Sequence, residues 1–326
     1  MAKPKVFVTR IIPDAGFDLV KAACEVDLWT DELPPPYEVL LERVRGVDGL
    51  LCLLTDRIDA QLMDTAGSQL KVISNHAVGF DNIDLPAATA RSIPVGNTPG
   101  ILTDATADFA FSLLVSAARR VVEGDRYVRA GQWKTWGPSI LLGPDVTGAT
   151  LGIIGYGRIG QALAKRASGF DMRILYYDPM VVDPAVPGTA VDLETLLRES
   201  DFVSLHTVLN EQTRHLINRD TLALMKPNAI LVNTSRGPVV DGQALYEALQ
   251  ANKIFAAALD VTDPEPLPMD SPLLELDNLV IAPHIASASK PTRDKMSLMA
   301  AQNLLAGLDG KQLPNCVNPE IYSQPQ

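Results

Sequence analysis

The sequence predicts an α/β protein of two units, each built on parallel strands joined by crossover helices. Three observations carry that expectation. The chain has 326 residues, roughly two domains' worth, and 47% of them are apolar, enough for sizeable buried cores. Short apolar runs alternate with helix-period segments from end to end, and the alternation starts afresh in the second half. Where that second series begins, an apolar run leads directly into the glycine turn Gly155-Tyr-Gly-Arg-Ile-Gly160.

Taken in order, Val6–Thr9, Leu50–Leu54 and Val72–Ser74 read as strands, with helical spacing over Gly16–Ala23 and Tyr37–Val44 and a Pro34-Pro35-Pro36 punctuation between. Asp104–Val122 reads as one helix with almost no charge until Arg119-Arg120. A helix so apolar must be covered on most sides, which places it at a domain or subunit junction. Thr150–Ile154, Arg173–Tyr177, Phe202–Leu205, Ala229–Val232, Ala256–Leu259 and Leu279–Ala282 are six further strands, the number a complete dinucleotide-binding sheet needs. Residues 291–308 read as a last helix, and no short repeat suggests a solenoid.

Composition removes several classes. Lys and Arg number 28 against 39 Asp and Glu, so the basic footprint of a nucleic-acid partner is missing. No apolar run approaches the roughly 18 residues that span a bilayer. The apolar run before Arg10 is too short for a secretory leader, and a cytoplasmic location is expected. Cys24, Cys52 and Cys316 are odd in number and scattered, as expected of free packed thiols. No His, Cys or carboxylate set has metal-ligand spacing, so no metal is expected, and there is no GxSxG elbow.

The glycine turn fits a dinucleotide. Gly155 allows the tight turn, Gly157 lets a pyrophosphate reach the backbone, and Gly160 lets the following helix pack on its strand. The positive end of that helix, which Gln161–Ala167 continues, then faces the phosphates. Asp178 ends the next strand, close to the offset of an acid that binds the adenosine ribose and repels a 2′-phosphate. NAD(H) is therefore favoured, with some tolerance of NADP(H) left open by Arg158 and Arg173. The plain alternative is that Asp178 caps a turn before Pro179.

Three polar loops follow strands of the second series: Asn233-Thr-Ser-Arg236-Gly237, Asp260-Val-Thr-Asp-Pro-Glu265-Pro266 and Pro283-His284-Ile-Ala-Ser287. Open α/β sheets place ligands at such strand ends. Loops carrying an Arg, a Glu and a His at the same sheet edge as the glycine turn converge on whatever sits beside a nicotinamide. Arg236 suits an oxygen-bearing ligand there because its planar fork grips two oxygens at once. His284 can deliver a proton near neutral pH, and Glu265, if it reaches the other ring nitrogen, favours the imidazolium and fixes the ring.

With these motifs and Asn75–Asp84 (N-x-x-VG-x-DN-x-D), nearly the whole chain resembles the D-isomer-specific 2-hydroxyacid dehydrogenases, and Asn97–Asp108 with Gly124-Asp-Arg126 and Gly131-Gln-Trp-Lys134 is most similar to the glyoxylate and hydroxypyruvate reductases. The resemblance implies a Rossmann cofactor domain, 100–285, inserted into a flavodoxin-like substrate domain, 1–99 with 286–326, and an active site in the cleft. It also implies Arg236, Glu265 and His284 as the catalytic set. Cofactor contacts then fall on Gly155, Tyr156, Gly157, Arg158, Ile159, Gly160 and Asp178, and on His206, Thr234, Ser235, Asp260 and Thr106. The amides of Ala77, Val78 and Gly79, with Arg236 and His284, would hold the substrate, and His76 would be a wall residue. His215 would be structural. Val208 replaces the family's usual Pro beyond His206, which puts the adenine-side loop in question. The 104–122 helix with Trp133 and Trp136 would bury a homodimer surface.

The implied activity is NADH-dependent reduction of glyoxylate or hydroxypyruvate to the D-2-hydroxy acid. Two readings stand beside it: a dehydrogenase of another small acid, such as D-lactate, D-glycerate, phosphite or formate, and a dinucleotide-sensing, corepressor-like binding protein. Turnover separates the sensor from the enzymes.

Overall fold

The computed structural model describes residues 2–181 and 184–323. The chain forms two compact units, one ending at Leu102 and resumed at Ala288, the other running from Thr103 to Ser287.

In the first unit β1 (Lys5–Val8), α1 (Asp14–Ala23), β2 (Glu25–Leu28), α2 (Tyr37–Arg43), β3 (Gly49–Cys52), α3 (Ala60–Ala66), β4 (Val72–Asn75), α4 (Leu85–Ala90) and β5 (Val95–Gly96) alternate. The sheet is parallel in the order β2-β1-β3-β4-β5, a doubly wound arrangement with its switch point between β1 and β3. Both faces are covered, so the central strands β3 and β4 are buried throughout rather than alternating, with Ser74 and Asn75 the polar residues among them. Asp59 and Asp84 start α3 and α4 by accepting from the amides of Leu62 and Ala87. The strand expected to reach Leu54 stops at Cys52, because the Leu53 amide turns to the Asp56 carboxylate at 2.7 Å. β2 and the two-residue β5 carry no long apolar run, and so lack the signal that marks the inner strands.

The second unit opens with α5 (Thr103–Ala118) and α6 (Val121–Arg129). Here the single helix expected to Val122 is corrected. Arg120 sits in the left-handed region at φ 50° and divides it. Gly143 lies so close that a Cβ on it would be 1.9 Å from the Ala118 carbonyl oxygen, and Arg120 pairs with Glu123 through two 2.7 Å bonds. The returning chain thus occupies the path a longer helix would take. Most apolar residues of α5 pack on the unit's own sheet and on the later helix α7, with Phe109, Phe111 and Val115 left half-buried.

Then follow β6 (Thr150–Ile154), α7 (Arg158–Ala167), β7 (Arg173–Tyr177), β8 (Thr189–Ala190), α8 (Leu193–Glu199), β9 (Phe202–Leu205), α9 (Arg219–Leu224), β10 (Ile230–Asn233), α10 (Gly242–Gln250), β11 (Ala256–Leu259) and β12 (Leu279–Ile281). They form a parallel sheet ordered β12-β11-β10-β9-β6-β7-β8, the six expected strands plus the short edge β8. The strand order reverses between β6 and β9, so a crevice opens at their C-terminal ends. α11 (Lys290–Leu308) returns to the first unit, where Leu304 joins its core and the Ser74 hydroxyl bonds the Ala300 carbonyl. No helix among the described residues is long and apolar enough to cross a membrane.

Candidate active site

The glycine turn lies at the switch point. Gly155 has φ +89°, and a Cβ there would stand 2.6 Å from the His206 carbonyl, so only glycine lets β6 turn against the end of β9. α7 begins at Arg158 with Gly157 as its cap, and among the described residues no side chain accepts from its first amides. The space beside the Gly157 Cα is open. Free helix-initial amides behind an open glycine are what a pyrophosphate requires, so this turn fits a dinucleotide. Tyr156 points inward: its ring is fully buried and stacks on Tyr176 at 4.2 Å. Its backbone amide donates to Asp178 Oδ2 at 2.7 Å, and the Met180 amide donates to Oδ1 at 2.9 Å. Asp178 therefore caps its own turn and ties it to the glycine turn. A carboxylate has about four acceptor sites, which leaves room for ribose hydroxyls as well.

Gly237 brings the next two loops together, since a Cβ on it would meet the Thr262 carbonyl oxygen at 1.9 Å. Asn233 braces the Arg236 loop by accepting from Ser235 N and Oγ and donating to the Arg236 carbonyl. Arg236 Nη1 donates to the Ser235 carbonyl at 2.8 Å. Across the sheet edge His284 Nδ1 meets Glu265 Oε1 at 2.5 Å, which leaves Nε2 as the ring nitrogen facing away from the acid. Burial opposes ionisation of Glu265, but the His284 bond and charge, the Thr262 amide and the Arg236 charge outweigh it and hold the carboxyl below its ordinary range. The three residues form one electrostatic cluster.

His284 itself is in the left-handed region at φ 55°, and Asp260 keeps it there. The His284 amide donates to the Asp260 carbonyl, and both oxygens of the buried Asp260 carboxylate accept from the next two amides, Ile285 and Ala286, at 2.7 and 2.8 Å. Burial raises this carboxyl despite those amides. The expected cofactor contact at Asp260 is thus a side chain engaged with the His284 loop, a role its place in the sequence did not signal.

The remaining positions are mixed. His206 is half-buried at the end of β9, with Nε2 2.8 Å from Ser204 Oγ and Nδ1 buried without a partner among the described residues. Thr234 Oγ1 is likewise buried and unpartnered, and Ser235 is buried. Thr106 is buried on α5, while Arg158 and Ile159 open α7. Val208 is exposed beyond His206, and the His215 amide bonds the Pro238 carbonyl. In the first unit the loop Ala77-Val78-Gly79 leaves the C-terminal end of β4, beside the buried His76. Among the described residues no group of three His, Cys, Asp or Glu could hold a metal.

Burial pushes His206 down to about 4, from an ordinary 6.5. The folded chain therefore keeps it neutral while the unfolded chain takes up a proton as pH falls from about 6.5 to about 4. Stability is lost across that window at up to about 1.4 kcal/mol per pH unit. His206→Gln should flatten that part of the stability–pH curve, measured by urea unfolding of the second unit followed through a local probe. An unchanged slope would show that His206 does not contribute.

A parallel α/β unit with a dinucleotide turn and an Arg–Glu–His cluster at one sheet edge defines a nicotinamide-dependent oxidoreductase. Residues 111–286 match the family described as D-isomer specific 2-hydroxyacid dehydrogenase, NAD binding domain. The chain is 55% identical over 323 residues to the glyoxylate reductase of Korarchaeum cryptofilum (strain OPF8), covering 98% of this chain and 97% of that one. A crystal structure of a protein from Thermus thermophilus superposes with TM-score 0.91 at 50% identity, covering 96% of this chain and 99% of the other. The NADPH-dependent glyoxylate/hydroxypyruvate reductase of Sinorhizobium meliloti, crystallised with NADP and malonate, superposes with TM-score 0.86 at 30% identity over 97% of each chain. The chain belongs to the D-isomer-specific 2-hydroxyacid dehydrogenase family and is an enzyme of that type, with a nicotinamide dinucleotide as cofactor.

Proposed function

We propose that the protein reduces glyoxylate, and hydroxypyruvate as a second substrate, with NADH as the preferred donor. The observation that carries this is the His284–Glu265 pair beside Arg236, since it supplies an oriented proton donor and a cation together. The glyoxylate reductase of Korarchaeum cryptofilum supports the choice of substrate. When bound, the reduced nicotinamide supplies the hydride to the carbonyl carbon. Arg236 draws the carbonyl oxygen and a carboxylate oxygen to its fork, and the amides of Ala77, Val78 and Gly79 receive the carboxylate. His284 Nε2 gives its proton to the carbonyl oxygen, which becomes the hydroxyl, of D configuration where the carbon is a stereocentre. Glu265 holds the ring and balances its charge. Gly155–Gly160, Asp178, His206, Thr234, Ser235, Asp260 and Thr106 form the surroundings of the cofactor, Asp260 acting through the His284 loop. Initial rates on a panel of 2-oxo acids with each reduced cofactor test the reading; negligible glyoxylate turnover would sink it.

Asp178 supports the preference for NADH, through its charge at the end of β7. Asp178→Ala should narrow the ratio of NADH to NADPH specificity constants. Because the same carboxylate anchors the Tyr156 amide, both constants should also fall. A wild type that already prefers NADPH, as named for the Sinorhizobium meliloti enzyme, would refute the premise.

Glu265→Gln keeps the shape and removes the charge that favours imidazolium. Reduction uses protonated His284, so its fall with rising pH should begin at lower pH in the variant. Oxidation of the hydroxy acid uses the neutral ring, and its rising limb should shift the same way. Superimposable profiles in both directions would reduce Glu265 to shaping its loop.

The protein is further proposed to be a cytoplasmic homodimer. Val121, Val128, Trp133, Trp136 and Leu142 are all exposed within one short stretch of the second unit, a concentration that a second copy would cover. Sedimentation of the wild type and Trp136→Ser measures this.

A further inference from the structure

Three successive carbonyls of the first unit's Ala77–Gly79 loop are bonded from within. The Ala77 oxygen accepts from the Thr98 amide at 2.9 Å, the Val78 oxygen from Asn97 Nδ2 at 2.8 Å, and the Gly79 oxygen from Asn75 Nδ2 at 2.9 Å. Among the described residues none accepts from the amides of Ala77, Val78 or Gly79. A trans peptide is planar, with its C=O and N–H on opposite sides. Whatever fixes the Val78 carbonyl therefore aims the Gly79 amide the other way, and the bond that fixes it comes from a side chain.

That side chain is itself immobilised. Asn97 is buried; its carbonyl accepts from Asn303 Nδ2 at 2.9 Å and its amide donates to the Asn315 carbonyl at 3.4 Å. Asn303, fully buried on α11, also accepts from the Asn315 amide at 3.0 Å. The packing leaves no slack, since a Cβ on Gly96 would stand 2.7 Å from the Asn303 Cβ. With its backbone fixed on both sides and the residue buried, Asn97 spends its side-chain donor on the Val78 oxygen.

We infer that Asn97 is a positioning residue for the substrate carboxylate: held by Asn303 on α11, it sets the Val78–Gly79 peptide so that the Gly79 amide faces the anion before it arrives. This rests on the reading that the amides of this loop receive the carboxylate. Such preorganisation contributes equally to ground and transition states, so its loss belongs in KM rather than in kcat.

The full-length enzyme saturated with NADH is assayed as wild type, Asn97→Ala and Asn97→Asp. Oxalate serves as a probe that offers a carboxylate but no reducible carbonyl. In Asn97→Ala the KM for glyoxylate and the inhibition constant of oxalate should both rise about tenfold, the worth of one oriented hydrogen bond to a charged group, with kcat within about twofold. Asn97→Asp should lose more, because its carboxylate repels both the Val78 oxygen and the incoming anion. The dissociation constant of NADH should not change in either, and wild-type chemical shifts for first-unit amides away from the loop report that each variant is folded. In the wild type the backbone amide resonances of Val78 and Gly79 should shift when oxalate is added. If they do not move, the carboxylate is not held there and the underlying reading falls. If they move but Asn97→Ala keeps wild-type KM and oxalate inhibition, the cradle stands and Asn97 has no part in it. Parallel loss of kcat and of NADH affinity would also overturn the inference, as general disruption. Asn75→Ser, acting one peptide further along, should raise KM by less.

Discussion

His284→Gln should lower turnover of a 2-oxo acid by at least about a hundredfold while NADH binds nearly as in the wild type. General-acid assistance is typically worth 10²–10⁴, and a carboxamide cannot yield a proton to the carbonyl oxygen. Gln can still occupy the loop, because the loop is held by the backbone: the residue's own amide bonds the Asp260 carbonyl, and the Asp260 carboxylate holds the two amides beyond it. His adopts the left-handed conformation at this position more readily than Gln, so the substitution carries a small stability cost that the Asp260 bonds absorb. The loss should therefore be chemical, visible in kcat and in a solvent isotope effect, with the melting temperature little changed. Retention of most activity would remove His284 as proton donor.

Arg236→Lys should cost about two orders of magnitude in the specificity constant for the 2-oxo acid. The guanidinium presents several donors in one plane; it spends Nη1 on the Ser235 carbonyl and still carries charge toward Glu265. An ammonium is a single point and cannot grip a carboxylate and a carbonyl oxygen together. The backbone around it should survive, because Asn233 and the Gly237–Thr262 approach hold the loop independently of the side chain. Specificity constants for the 2-oxo acid are compared with the NADH dissociation constant. If the former is unchanged and the latter weakened, Arg236 belongs to the dinucleotide.

Much of the fold was legible because its signals are local. Inner strands such as β6 and β9 are covered on both faces, so they appear as nearly continuous apolar runs. Edge strands escape this logic: β2 is half-exposed and polar, and β8 is two exposed residues. The α5–α6 break was also hidden, since Arg119 and Arg120 are good helix formers and the cause of the break, Gly143, lies more than twenty positions away.

The same division holds at the candidate site. The sequence by itself determined which chemical groups stand at the ends of which strands: the glycine turn after β6, Asp178 after β7, and the loops bearing Arg236, Glu265 and His284. Period, residue type and strand-end position are properties of short stretches of chain. Only the tertiary structure decided what those groups touch. It put Glu265 on Nδ1 of His284, turned the Tyr156 ring inward, gave Asp178 two backbone amides, and engaged Asp260 with a loop that begins 23 positions after it. It also set Asn97, through Asn303 of α11, against a loop nineteen residues before it. Apart from the Met180 amide, which lies two positions from Asp178, each of these is a hydrogen bond or packing contact of a few ångströms between residues distant in the chain, and a bond of that range depends on where two loops come to rest, which spacing along a sequence does not encode.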